Sequence, residues 1–138
     1  MRTIFAFLAL TFLAVLAGCG NSLHGTWVAK VRIDDSKPQT DQTQKMFEEA
    51  QARLETTGRR TIELMPGGKY RETFSGGYNL GTWRVKGDTL YLNATNYSGT
   101  EILAALQSEK PFRIAKGGKE ILPMSATEFG YEEYFVRE

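Results

Sequence analysis

The sequence predicts a mainly β protein: an antiparallel barrel of about eight strands, with one helix inserted after the first strand. Three observations lead there. Apolar and polar residues alternate in short runs, which is the period of a half-buried strand. Glycine-containing turns separate those runs at hairpin spacing. One segment alone, about 41 to 57, repeats its apolar residues at helical spacing. Closing such strands into a barrel removes the sheet edges that invite aggregation.

The chain opens Met1-Arg2-Thr3 and continues as an apolar run from Ile4 to Leu16, interrupted only by Thr11. A charged start, a short apolar stretch and small residues before a cut site make a secretory signal. The run is about 13 residues, short of the roughly 20 that span a bilayer. Leu16-Ala17-Gly18-Cys19 resembles the lipobox of bacterial lipoproteins. That resemblance implies cleavage between Gly18 and Cys19 and lipid on the Cys19 thiol. Residues 1–18 are then a signal peptide, 19–22 a lipidated tether and 23–138 the folded domain. Several acyl chains on one cysteine anchor stably, since each buried methylene contributes about 0.8 kcal/mol. Gly20, not aspartate, follows the cysteine. By the same resemblance the protein faces the periplasm from the outer membrane rather than the inner one.

In the domain, Trp27, Ala29, Val31 and Ile33 share one face of a first strand, with Lys30 and Arg32 on the other. Residues 34 to 39, with Pro38, form a loop. In the helix, Asp41 is placed to cap the first turn, with Gln44 three residues on as in a capping box. Met46, Phe47, Ala50 and Leu54 make its narrow apolar stripe, which suits a lid, and Gly58 ends it. Strands follow at about 62–64, 69–74, 80–86 and 89–93, turning at Pro66-Gly67-Gly68, Ser75-Gly76-Gly77 and Gly87-Asp88. Residues 96–99 read as a loop. Residues 101–107 fit either a short helix or an irregular crossing. Strands at 112–115, 120–123 and 131–137 complete the set.

Gly25-Thr26-Trp27, Gly67-Gly68-Lys69-Tyr70, Gly81-Thr82-Trp83-Arg84-Val85 and Gly87-Asp88-Thr89-Leu90 together resemble the small lipocalin-like domains of bacterial envelope proteins. The resemblance implies three roles at one end of the barrel. Gly25 lets the chain turn close beneath it, Trp27 fills it, and Arg137 on the last strand packs over the indole. A helix after the first strand departs from the usual lipocalin, whose helix lies near the C-terminus.

Composition excludes several functions. The chain holds 17 basic and 16 acidic residues, and loss of Arg2 with the signal leaves the two balanced. A balanced chain has no electrostatic footprint for nucleic acid. Cys19 is the only cysteine, so no intramolecular disulfide forms. One histidine, His24, and one lipidated cysteine provide no zinc or copper ligand set, and no cofactor motif is present. His24 stands at the start of the first strand, and the adjacent pairs Asp34-Asp35, Glu48-Glu49 and Glu132-Glu133 do not converge as an acid and a base would. The expected protein is therefore not an enzyme, but a monomeric module held on a membrane by lipid.

Two roles for the module remain. In the first, a small apolar ligand sits between sheet and helix, and the candidate residues are Met46, Phe47, Leu54, Tyr70, Glu72 and Phe74. In the second, the barrel is filled and its outer surface docks another envelope component. Glu72 is the odd member, since it shares a face with Tyr70 and Phe74. A carboxylate inside a barrel needs a partner or a polar cavity. It either orients a ligand, pairs with Arg84, or is turned outward by a bulge.

Overall fold

The computed structural model describes residues 23–124 and 130–138. The expected signal peptide, its cleavage site at Gly18 and Cys19, and the tether 19–22 lie outside the described residues.

Among the described residues the fold is a closed antiparallel barrel of eight strands with a single α-helix after the first strand. The strands are β1 (Gly25–Ile33), β2 (Thr61–Met65), β3 (Lys69–Phe74), β4 (Gly77–Lys86), β5 (Thr89–Tyr97), β6 (Thr100–Glu101), β7 (Glu109–Ala115), β8 (Glu120–Pro123) and β9 (Tyr131–Arg137). Each strand of the ring pairs with the next in sequence, β5 passing directly to β7, and β9 closes back on β1. The two-residue β6 only extends the end of β5. The helix α1 (Asp41–Thr56) is an insertion between two strands that remain neighbours, so it does not disturb the meander.

The core follows from strand parity. Trp27, Ala29, Ile62, Leu64, Tyr70, Trp83, Leu90, Leu92, Phe112, Ile121 and Phe135 point inward and are buried in one cluster. A residue from one strand stands beside its partner on the next, as Trp27 does with Ile62 and Leu90 with Phe112. The interior is thus packed with side chains, one of the two states an eight-stranded barrel can take. Tyr91 lies on the opposite face from its neighbours Leu90 and Leu92, and the Arg84 guanidinium stands 4.3 Å over its ring.

Gly81 explains why a second Gly-x-Trp occurs. β4 and β5 shift register between Leu80 and Gly81, and the chains approach closely there. A Cβ at Gly81 would lie 1.9 Å from the Asn93 carbonyl oxygen and 2.8 Å from the Tyr70 ring. No side chain fits without moving the backbone.

Several local expectations change, and one open alternative is decided. The helix cap is Thr40, one residue before Asp41: its Oγ1 accepts a hydrogen bond from the Thr43 amide at 3.1 Å. Gln44 is not part of a capping box and donates instead to Glu48. At the other end Thr57 is the C-cap, and Gly58 follows it. β5 runs on to Tyr97 because Asn96 and Tyr97 still pair with β4 and β6. Residues 104–106 form a single 3-10 turn, so this stretch is a crossing and not an α-helix.

Candidate functional site

One end of the barrel is shut by the triad that the lipocalin resemblance implies. Trp27 is wholly buried, and its Nε1 donates to the Leu23 carbonyl oxygen at 2.9 Å. The Arg137 guanidinium stands 4.9 Å over the indole. The aliphatic part of Arg137 packs on Gly25, 3.7 Å from where a Cβ would stand. His24 sets its ring edge-on to Trp83 at 5.4 Å. That contact makes it a packing residue at the start of β1.

The interior at the other end is polar. Glu72 points inward and is 2% exposed. Its partner is Arg60, which donates to Oε1 through Nη2 at 2.8 Å and through Nε at 3.3 Å. Asn79 donates to Oε2 at 3.2 Å. Arg60 also bridges to Glu133. Burial pulls the Glu72 carboxyl upward, but the Arg60 hydrogen bonds and charge outweigh it, with help from Lys110 and Asn79, and hold it below the usual carboxylate range. Burial, and then the Glu72 charge, push the Tyr70 phenol well above its ordinary value. The expected alternatives for Glu72 resolve accordingly: no bulge turns it outward, and Arg84 pairs with Glu109 on the outer face.

A cleft of about 530 Å³ opens beside this cluster. It forms where β8 and β9 part. They pair only through Glu120–Val136 and Ile121–Phe135, so Leu122 and Pro123 diverge from Tyr134 and Glu133. Phe112, Leu122, Pro123 and Met124 give it apolar walls. Arg60 and Glu133 stand within it, so the cleft reaches the ion network of the interior. Its carboxylates are matched: Glu133 by Arg60, Glu132 by Arg32, and Asp34 by Lys37 at 3.7 Å. Two of its cations, Lys110 and Arg113, make no side-chain hydrogen bond or ion pair among the described residues, and Lys110 acts on Glu72 only through its charge.

The six candidate ligand residues are not brought together. Met46 and Phe47 are half-buried on α1, and Leu54 packs against the core. Tyr70 and Glu72 are buried inside the barrel. Phe74, at the end of β3, stacks on Tyr97 with ring centres 6.0 Å apart. None of the six lines the cleft. Period two could have found Arg60 and Glu133, since they continue the inward parity of Ile62 and Phe135. The cleft itself has no local sequence signal.

Among the described residues no helix is long and apolar enough to cross a membrane, and no group of three or more His, Cys, Asp or Glu residues could hold a metal ion. Compared with known protein families, curated proteins and solved structures, the chain shows no significant match.

Proposed function

We propose that this is an envelope lipoprotein, anchored through Cys19, whose barrel binds a small amphipathic molecule with an anionic group in the cleft between β8 and β9. The carrying observation is the pairing of apolar walls with Lys110 and Arg113, cations that no carboxylate contacts directly among the described residues. The cleft volume lies in the range of small-molecule sites, which combine apolar linings with a few polar groups. Cations without a contacting carboxylate on an apolar cleft favour a ligand that supplies the contacting anion. The packed interior supports binding at the opening and not deep in the barrel. No arrangement of groups in the cleft resembles a nucleophile with its base, so the reading is a binder and not an enzyme.

Anchoring rests on the lipobox. Cys19→Ser is expected to accumulate as an uncleaved precursor that takes up no radioactive fatty acid, while the unaltered protein is labelled. An unlabelled wild-type protein would remove the anchor.

Binding is tested by titrating residues 23–138 with a fluorescent fatty acid. Saturable binding is expected, weakened at least about tenfold by Lys110→Glu with Arg113→Glu, since each charge reversal replaces an attraction by a repulsion. Phe47→Asp, outside the cleft, should leave the affinity unchanged. Absence of saturable binding would favour the second reading, a filled barrel that docks another envelope component. That reading has its own support: Leu103 and Leu106, at the 3-10 turn, are 69% and 73% exposed.

A further inference from the structure

We infer that the barrel rests on its membrane with the Trp27 end down, its turn lysines seated on anionic phospholipid headgroups. The inference depends on the anchored reading above and adds an orientation and a lipid class to it.

Strand pairing shows which turns lie at that end. β1 begins there, with Gly25 opposite Leu64 and Trp27 opposite Arg137. Three hairpins close at the same end, through the pairs Met65–Lys69, Lys86–Thr89 and Ala115–Glu120. They carry Lys69, Lys86, Lys116 and Lys119, all exposed. Three carboxylates accompany them, Asp88, Glu120 and Glu138, the last bridged to Arg59 at 2.7 Å. Glu120 is already engaged by Lys116 at 2.8 Å and Arg32 at 2.9 Å. Lys69, Lys86 and Lys119 have no ion-pair partner among the described residues. The opposite end carries Asp34, Asp35, Glu101, Glu109 and Glu132 against Arg32, Lys37 and Lys110, and Asp34, Glu109 and Glu132 are paired with Lys37, Arg84 and Arg32. Charges without an ion pair are therefore unevenly placed along the barrel axis: three turn lysines against Asp88 at the Trp27 end, and Asp35 and Glu101 against Lys110 at the other.

The tether leaves from this same end. Leu23 is buried, and its carbonyl receives the Trp27 indole N–H. Cys19 is four residues earlier in the chain. Fully extended, that length reaches about 14 Å. The Debye length in physiological salt is about 8 Å. The tether therefore holds the lysines close enough to a charged surface for attraction to act, and too close for the barrel to turn over freely. Each lysine near an anionic leaflet contributes about fivefold in occupancy, so three favour this orientation about a hundredfold.

The test uses the mature lipidated protein on two kinds of vesicle, neutral phosphatidylcholine alone or with about one third phosphatidylglycerol, a working fraction high enough for a negative surface potential. Retention on neutral vesicles reports the acyl anchor alone, because the lysines have no charge to meet there. Amide hydrogen exchange then reports orientation. On anionic vesicles, exchange in turns 66–69, 86–89 and 116–119 is expected to slow roughly tenfold relative to neutral ones. Turns 75–77 and 98–100 should not change. About 0.5 M salt, where the Debye length is only a few ångströms, should abolish the difference, as should Lys69→Gln with Lys86→Gln and Lys119→Gln. If that variant misfolds, the salt arm on wild-type protein decides. Protein that leaves neutral vesicles refutes the anchor, and the orientation with it. Protein that stays, but exchanges identically on both lipids or is protected at the opposite end, refutes the orientation alone.

Discussion

Replacing Trp27 by alanine is expected to destabilise the domain by about 3–5 kcal/mol, the usual cost of removing a buried large aromatic side chain. Trp83→Ala should cost less. Both indoles donate to a backbone carbonyl, Trp27 to Leu23 and Trp83 to Met65 at 3.0 Å. They differ in what surrounds them. Trp27 has no exposed surface, whereas Trp83 is 9% exposed. Trp27 also lies beneath the Arg137 guanidinium, a contact of about 0.5–2 kcal/mol depending on desolvation. Its loss would leave the Leu23 carbonyl without its buried donor and detach the chain that leads to the tether. Urea melts of residues 23–138 provide the measurement. A cycle with Arg137→Ala then isolates the stacking energy, because that substitution should cost markedly less in a Trp27→Ala background. Equal losses for the two tryptophans, or no coupling to Arg137, would mean that the barrel is not closed by this triad.

The barrel was legible in the sequence because its signals are local. Gly87-Asp88 and Lys116-Gly117-Gly118-Lys119 mark hairpins, and the alternation in Trp27-Val28-Ala29 or Leu90-Tyr91-Leu92 tells in from out. The misplaced details have physical reasons. Thr40 and Asp41 are both competent caps, and only the backbone decides between them. The last residues of β5 are Asn93-Ala94-Thr95-Asn96-Tyr97, a polar run that reads as a loop when its pairing with β4 and β6 cannot be seen. The inward direction of Glu72 followed from parity with Tyr70. Its partner did not, because Arg60 stands in the connection before β2, 12 residues from Glu72, and the second carboxylate it bridges, Glu133, lies 73 residues away at the far end of the chain. The cleft was invisible for a related reason. It is a gap between strands that stop pairing, and non-pairing leaves no motif.

Arg60→Met is expected to cost about 3 kcal/mol, because it leaves the Glu72 carboxylate buried without its cation. The lower part of the range for broken buried pairs applies, since Arg60 is 30% exposed and water can reach one side of the vacated site. Glu72→Gln should cost less: it removes one charge but leaves Arg60 paired with Glu133. Arg60→Met combined with Glu72→Leu should recover part of the loss, since apolar replacement of both partners removes the stranded charge. The pH dependence separates an ion-pair effect from simple loss of packing. In the native protein the Glu72 carboxyl lies below its ordinary value of 4.5, so its contribution is present above that pH and fades as pH falls through the lower folded-state value. Without Arg60, burial dominates and raises the folded-state value above the unfolded one. The sign then reverses: protonated Glu72 is tolerated at low pH, and stability declines as pH rises through the raised value. Urea melts of wild type and Arg60→Met between about pH 4 and 7 should therefore differ least at the acid end and diverge toward neutrality. A constant difference across that window would mean that Arg60 acts through its packing alone, and that the ion pair inside the barrel contributes nothing measurable.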